Sequence, residues 1–264
     1  MLDGMTSQPS GAASRVYAAF AYLAFAASTA WAIAFLADLR TVPVVDGVSS
    51  GPAWLAVLVD SGLLLVFALQ HSVMARTGVK RWMARVVPHA VERSTYVLST
   101  SLCLGLIFWQ WRPLPATIWR VDTQPWTALL WGICAAGWVI ALGSTFMIDH
   151  LDFLGLRQGG WARRGPDSSP PFAERWMYAW LRHPMMLGLL LAFWATPSMT
   201  TGHLLFAIAA SAYIAVGVRF EERDLRRQLG DVYDDYARRV PRFVPRPPGS
   251  APAVVRTETK AGLS

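Results

Sequence analysis

The sequence predicts an all-α integral membrane protein: four spanning helices, a short C-terminal helical hairpin and a cytoplasmic amphipathic helix. Three observations predict it. Hydrophobic residues make up 54% of the chain and charged residues only 16%, where soluble domains carry nearer a quarter charged. The apolar residues are blocked into runs close to the ~20 residues a helix needs to cross a bilayer. Basic residues alternate between rich and poor connecting segments, the pattern of the positive-inside rule.

In chain order, residues 1–14 are small and polar and read as a disordered N-terminus. Runs at 16–39, 53–73, 95–111 and 126–148 supply the four spans. The first is too long for a signal-peptide core and no small-residue cleavage site follows it, so it counts as a span. Pro and Trp cluster at the span ends, as in "WQWRPLPATIW" (109–119) and "QPWTALLW" (124–131), where indole rings suit the headgroup level. The stretch 157–175 is too rich in Gly and Pro for a helix interior and reads as a surface loop. A single membrane domain is expected over 15–246, with its candidate functional core at 176–245, followed by a disordered tail over 247–264.

The net charge of +7 follows topology rather than forming a nucleic-acid patch. Segment 74–94 holds Arg76, Lys80, Arg81, Arg85 and Arg93 against Glu92. Segment 149–182 holds Arg157, Arg163, Arg164, Arg175 and Arg182, and the tail from Arg219 is richest of all. Between them, 40–52 has only Arg40 and 112–125 only Arg112 and Arg120. Both termini are therefore expected in the cytoplasm. The two cysteines, Cys103 and Cys134, each fall inside a span and give neither a disulfide framework nor metal spacing. No metal, no nucleic acid and no obligate protein partner are expected; the bilayer is.

After "RHP" (182–184) the apolar run 185–195 makes roughly 16 Å of helix, against a ~30 Å hydrocarbon core. "TPSMTTGH" turns the chain, and the run 204–218 is again short. The pair reads as a hairpin with both ends on the cytoplasmic side, enclosing a cavity open to the cytosol. Beyond it Leu225, Leu229, Val232, Tyr236 and Val240 recur at helical spacing, with charge on the other face and Pro241 as the stop. Such a helix lies along the interface or caps the hairpin.

The polar residues at these boundaries each admit two readings. Arg182 and His183 serve as an interfacial anchor and a cap, with Pro184 an ordinary helix start, or they bind a charged group at the cavity rim. Gly188 permits close helix packing or belongs to that rim. Glu221 and Glu222 are a helix-surface pair or receive an amine or sulfonium ligand. His71, Asp60 and Gln70 lie in or at the end of the second span, where ionisable groups are functional candidates by default, although Asp60 also suits a helix pairing and His71 an interfacial position. Asp149, His150 and Asp152 suit a polar loop, and His203 is a cap or an inner-cavity residue. There is no dinucleotide fingerprint after a strand, no Walker A and no H-E-x-x-H, so a nucleotide-like cofactor must be held by the membrane helices and the tail.

"LRHPMMLG", a short hairpin and "FEERDLRRQLGDVYDDYARRVPRFVP" resemble the C-terminal core of the isoprenylcysteine carboxyl methyltransferase superfamily of integral-membrane enzymes. Its pattern is met at Arg182, His183, Pro184, Gly188, Glu221, Glu222, Leu225, Gly230, Tyr233, Tyr236, Val240 and Pro241, with Met186 in place of the usual tyrosine and Leu229 in place of phenylalanine. "FALQHSVMAR", "VERSTYVLST", "FWQWRPLP", "FWATPSMTTGHLLFA" and "EERDL", spread between residues 67 and 245, resemble more closely the bacterial membrane-bound methanethiol S-methyltransferases, which are related to the NnrU-like proteins.

The resemblance implies methylation of methanethiol to dimethyl sulfide with S-adenosyl-L-methionine, in the bacterial inner membrane. It implies that Arg182, His183, Gly188, Glu221, Glu222 and Tyr233 hold the cofactor, while Met186, Trp194 and His203 are the expected lining of the substrate cavity. The thiol also needs a base, and His183, His71 and a hairpin-facing carboxylate are the candidates. Two other readings stand beside this one. A methyltransferase of the same fold acting on a prenylated or lipid substrate would want a wide lateral opening. A non-enzymatic membrane accessory or transport protein would use the same polar residues as a relay.

Overall fold

Proline sets the start of most long helices in the computed structural model, which describes residues 11–48, 51–162 and 176–247. Pro52, Pro88 and Pro125 stand at the N-caps of α2 (Ala53–Ala75), α4 (His89–Gln110) and α5 (Trp126–Ile148). Pro184 is the first residue of α7 (Pro184–Trp194). A residue with φ already fixed and no N–H to leave unpaired is at no disadvantage there. α1 (Ala12–Leu36) precedes them, and α8 (Thr201–Leu229) and α9 (Asp231–Arg239) close the chain. Short α3 (Thr77–Met83) and α6 (His150–Phe153) follow the second and fifth helices at the same end of the bundle.

Four of these helices, α1, α2, α5 and α8, are long and apolar enough to cross a membrane. The set differs in one member from the four apolar runs of the sequence. The run 95–111 does become a helix, but α4 starts at His89 and carries Glu92 and Arg93 in its opening turns. The hairpin is also lopsided. Its first arm is the 11-residue α7, as short as its apolar run, but the second arm is 29 residues long. Nothing between Thr201 and Leu229 breaks a helix, and spaced pairs such as Arg226–Glu222 (3.7 Å) and Arg227–Asp224 (3.7 Å) support its charged end. The amphipathic stripe from Leu225 to Val240 is not one helix. Gly230, at φ +54°, separates α8 from α9 in a conformation that a side chain would disfavour.

At the chain ends, α1 takes in Ala12 to Ser14, so any irregular N-terminal stretch is shorter than 1–14. Residues 1–10, most of the loop 157–175 and the tail from 248 lie outside the described residues.

The helices pack in the order α1, α4, α2, α8, α7, α5, each against the next. Phe35, Phe108, Trp111, Phe193 and Phe206 form the centre of the core, with ring centroids 4.9–6.0 Å apart. The tightest approach is α5 on α7. A Cβ at Gly188 would lie 2.5 Å from the Gly137 carbonyl oxygen, and one at Gly137 would lie 2.6 Å from that of Gly188. Two backbones meet here without side chains between them, the membrane solution for close helix contact. Gly188→Ala is therefore expected to destabilise the protein by ~1–3 kcal/mol through overpacking, read as a lowered Tm in detergent.

The turn of the hairpin holds a small sheet that the sequence did not announce. β1 (Thr117–Arg120) pairs antiparallel with β2 (Ser198–Thr200). Pro113 and Pro115 keep that connection out of a helix and leave it extended. Asp46 accepts a hydrogen bond from Thr200 Oγ1, and Thr200 Oγ1 in turn caps α8 at the His203 N–H (3.1 Å). This end of the bundle is a structural cap, opposite the end where the charged residues gather.

Candidate functional site

The end of α8 carries a carboxylate that the sequence could not show to be buried. Glu222 is only 1% exposed and is ringed by cations. Arg182 Nη1 lies 3.0 Å from its Oε1 and His183 Nε2 3.2 Å from the same oxygen. Arg242 approaches with Nη2 at 2.6 Å from Oε2 and Nε at 3.0 Å from Oε1, and Arg226 Nη2 stands at 3.7 Å. Three segments converge on one acid: the entry to α7, the end of α8 and the irregular segment after α9. Backbone bonds fix the same junction, since Arg182 N–H donates to the Pro241 carbonyl (2.9 Å) and His183 N–H to that of Arg242 (3.2 Å).

Glu221 faces the other way. Its side chain is about half exposed, with Oε2 3.6 Å from His183 Nδ1, so His183 lies between the two glutamates. Tyr178 is close by, and burial together with the Glu221 charge pushes its phenol up to about 12. Tyr233 of α9 is buried beneath the Arg226 guanidinium, 5.6 Å from ring to cation. Burial, with the Glu222 charge beside it, holds its phenol above the ordinary tyrosine range. Tyr236 donates to the Tyr178 carbonyl (2.8 Å) and pins α9 to the approach to α7. The result is a polar shelf with a spent acid at its centre and a half-exposed carboxylate and two half-exposed arginines, Arg226 and Arg242, at its rim.

Beside the shelf lies a cavity of about 1230 Å³ bordered by α1, α2, α4, α5, α7 and α8. Met185 and Met186, directly after His183 and Pro184, line it and so join the two regions. Its wall is mostly aliphatic and aromatic; toward α3 and α6 it also takes in Lys80, His89, Glu92, Arg93, Asp152 and Gln158, and His71 stands between that charged end and the apolar remainder. His71 Nε2 is 2.8 Å from the Tyr96 hydroxyl and Nδ1 is 3.2 Å from Thr100 Oγ1. The ring stacks on Phe67 at 5.4 Å, and Tyr213, bonded to Ser72 (3.1 Å), closes the edge.

The structure thus brings Arg182, His183, Glu221, Glu222 and Tyr233 together and sets His71 and Met186 on the cavity wall. It puts three other candidates elsewhere. Gly188 lies at the α5–α7 crossing, where the backbone of α5 covers it. Trp194 donates to Ser211 Oγ (2.9 Å) at the far end of α7, away from the cavity lining. His203 is buried in the hairpin cap, its Nε2 2.9 Å from the Phe193 carbonyl. Among the described residues no cluster suited to a metal ion occurs. Sequence reasoning missed Arg242, Tyr96 and Tyr213. The "VPRF" word after the amphipathic stripe held the first, but one arginine among many in a basic tail gives no signal of pairing.

A helical membrane bundle with an ionic shelf opening onto an apolar cavity defines the class. Residues 61–234 match the NnrU protein family model, and the chain belongs to that family. Among curated relatives, the methanethiol S-methyltransferase of Mycobacterium tuberculosis (strain ATCC 25618 / H37Rv) is 50% identical over 88% of this chain and 96% of its own. Methanethiol S-methyltransferase 2 of Bradyrhizobium diazoefficiens is also 50% identical, over 88% of this chain and 89% of its own. Nurim of Xenopus laevis is 35% identical over 65% of this chain and 64% of its own. No solved structure matches the chain. The family expected from the words between residues 67 and 245 is the one found.

Proposed function

We propose that this chain transfers a methyl group from S-adenosylmethionine to methanethiol, giving dimethyl sulfide, inside a membrane. The observation that carries the reading is the junction of a charged shelf with an apolar cavity through Met185 and Met186, in a chain half identical over nearly its whole length to a methanethiol S-methyltransferase.

The shelf suits the cofactor by the chemistry of its groups. A carboxylate ligand is matched by Arg242, which is about half exposed where it grips Glu222, and by the half-exposed Arg226, whose Nε pairs with Asp234 at 3.1 Å and whose Nη2 stands 3.7 Å from Glu222. An amine or sulfonium is matched by Glu221, and hydroxyls by Tyr178 and Tyr233. Arg182, His183 and Glu222 hold these groups in place. When bound, S-adenosylmethionine supplies an electrophilic methyl group on a positively charged sulfur.

The chain's own residues then handle the thiol. Methanethiol is small and apolar and partitions into the aliphatic cavity. There His71 Nδ1 lies 3.2 Å from Thr100 Oγ1 and Nε2 2.8 Å from the Tyr96 hydroxyl; in the tautomer protonated at Nδ1, Nε2 is the acceptor for Tyr96. The thiol S–H donates to the Tyr96 oxygen. The Tyr96 proton passes to His71 Nε2 as the sulfur attacks, so no free thiolate has to form in an apolar wall. His71 is preferred over His183 because it lines the cavity, whereas His183 is held between two glutamates. Excluding water from such a site favours a step in which opposite charges are neutralised.

By the positive-inside rule the shelf end, with Arg76, Lys80 and Arg81 beside it, faces the cytoplasm of an inner membrane. The start of α1 lies at this same end, where Trp161 Nε1 donates to the Arg15 carbonyl (2.8 Å). The purified protein, given methanethiol and S-adenosylmethionine, is expected to release dimethyl sulfide into the headspace and to bind S-adenosylmethionine saturably. No dimethyl sulfide above a protein-free control would refute the assignment.

A further inference from the structure

The cavity is far larger than the thiol assigned to it. At about 1230 Å³ it exceeds the ~300–1,000 Å³ that commonly enclose a whole drug-sized ligand, and methanethiol has two non-hydrogen atoms. From His71 the space runs two ways, toward the charged end past Lys80 and Arg93 and, in the other direction, into the apolar interior of the bundle. From His71 the lining runs back along α2 to Leu64, and from Thr100 along α4 to Ile107 and Phe108, a distance of roughly 10 Å on each helix. Ala32 and Leu36 of α1 close the far end. Apart from the hydroxyls of Thr29, Ser61 and Ser101, this stretch is apolar.

The cavity also meets the outside of the bundle. Leu65 and Leu69 on α2 line it and are 58% and 55% exposed, and Val216 on α8 lines it at 48%. These residues belong to two of the four helices apolar enough to span a membrane, so the surface they expose is one that hydrocarbon wets.

We propose that the same site methylates longer alkyl and aryl thiols drawn from the bilayer, converting each to its methyl thioether. The inference rests on the reading of the site as a thiol methyltransferase. The thiol sulfur sits at Tyr96, and the hydrocarbon lies between α1, α2 and α4. The S–H proton passes through Tyr96 to His71, the sulfur–methyl bond forms, and the bond from methyl to the donor sulfonium breaks. Its electron pair stays on the donor's sulfur. The products are an alkyl methyl sulfide, the neutral thioether of the donor and a protonated imidazole.

Each methylene buried in such a wall contributes about fourfold to kcat/KM, the equivalent of ~0.8 kcal/mol. The test uses the purified full-length protein in lipid nanodiscs with S-adenosylmethionine and a series from methanethiol through propanethiol and pentanethiol to thiophenol, products being measured by gas chromatography. The expected result is a methyl thioether from every member, with kcat/KM rising about fourfold per methylene until the space is filled. Ala32→Phe, which blocks the far end, is expected to reduce pentanethiol turnover at least tenfold more than methanethiol turnover. Independently of any methyl donor, pentyl methyl sulfide is expected to raise the Tm of the wild-type protein and not of Ala32→Phe. Turnover of methanethiol without turnover of propanethiol or pentanethiol overturns the inference and leaves the assigned reaction standing. No turnover of any thiol removes both.

Discussion

Replacing Glu222 with alanine is expected to destabilise the protein by about 3–5 kcal/mol, because it leaves buried positive charge without its partner. The Arg182 side chain is only 9% exposed, and Glu222 is its ion-pair partner. The same substitution removes the carboxylate that Arg242 grips with two nitrogens, so the segment after α9 loses its main side-chain tie to α8. Glu222→Gln keeps hydrogen-bond acceptance without the charge and is expected to fall between the two. Glu221→Ala supplies the contrast. Its carboxylate is about half exposed, so the loss of stability is expected to stay under ~1 kcal/mol, while affinity for S-adenosylmethionine falls. Thermal unfolding and cofactor titration of the three variants in one detergent separate these effects. A Glu222→Ala protein as stable as the wild type would contradict the central role given to that residue.

His71→Ala and Tyr96→Phe are expected to lower kcat by ~10²–10⁴ with cofactor affinity unchanged, the usual scale for losing a positioned proton acceptor. Tyr96→Phe is the cleaner of the two, since it removes one oxygen and keeps the ring beside His71. The pH profile distinguishes a proton-transfer role from a packing role. Without the acceptor only thiol that has already ionised reacts, so the residual rate should climb about tenfold per pH unit below the thiol's pKa. The wild-type rate, which draws on the neutral thiol, should be flatter over the same range. If both variants turn over within threefold of the wild type, with parallel pH profiles, the relay through Tyr96 is wrong.

Much of the architecture could be read from residue type and order because bilayer thickness constrains apolar runs so strongly. The runs beginning at 53 and 126 start as helices where their prolines stand, and the "RHP" and "EE" words do meet across the hairpin. What could not be read depends on contacts between distant segments. Charge at positions 219–227 suggested that the hairpin's second arm ends early, but a helix leaving the membrane needs no apolar face, so α8 runs on to Leu229. Trp194 and His203 looked like cavity residues from their neighbours in sequence, yet each turns toward a partner in the hairpin instead. The polar cluster on the cavity wall takes His71 from α2, Tyr96 and Thr100 from α4 and Tyr213 from α8. No local spacing links residues scattered over so many turns.

The stretch 240–246 returns to the start of α7. It offers the Pro241 and Arg242 carbonyls to Arg182 and His183, the Arg242 side chain to Glu222 and the Arg246 N–H to the Trp180 carbonyl. During synthesis this stretch leaves the ribosome after every membrane helix. A nascent chain can therefore have its whole bundle in the bilayer while the shelf still lacks an edge. Insertion and completion of the shelf are thus separable, and a chain cut short before Arg242 is expected to reach the membrane without activity.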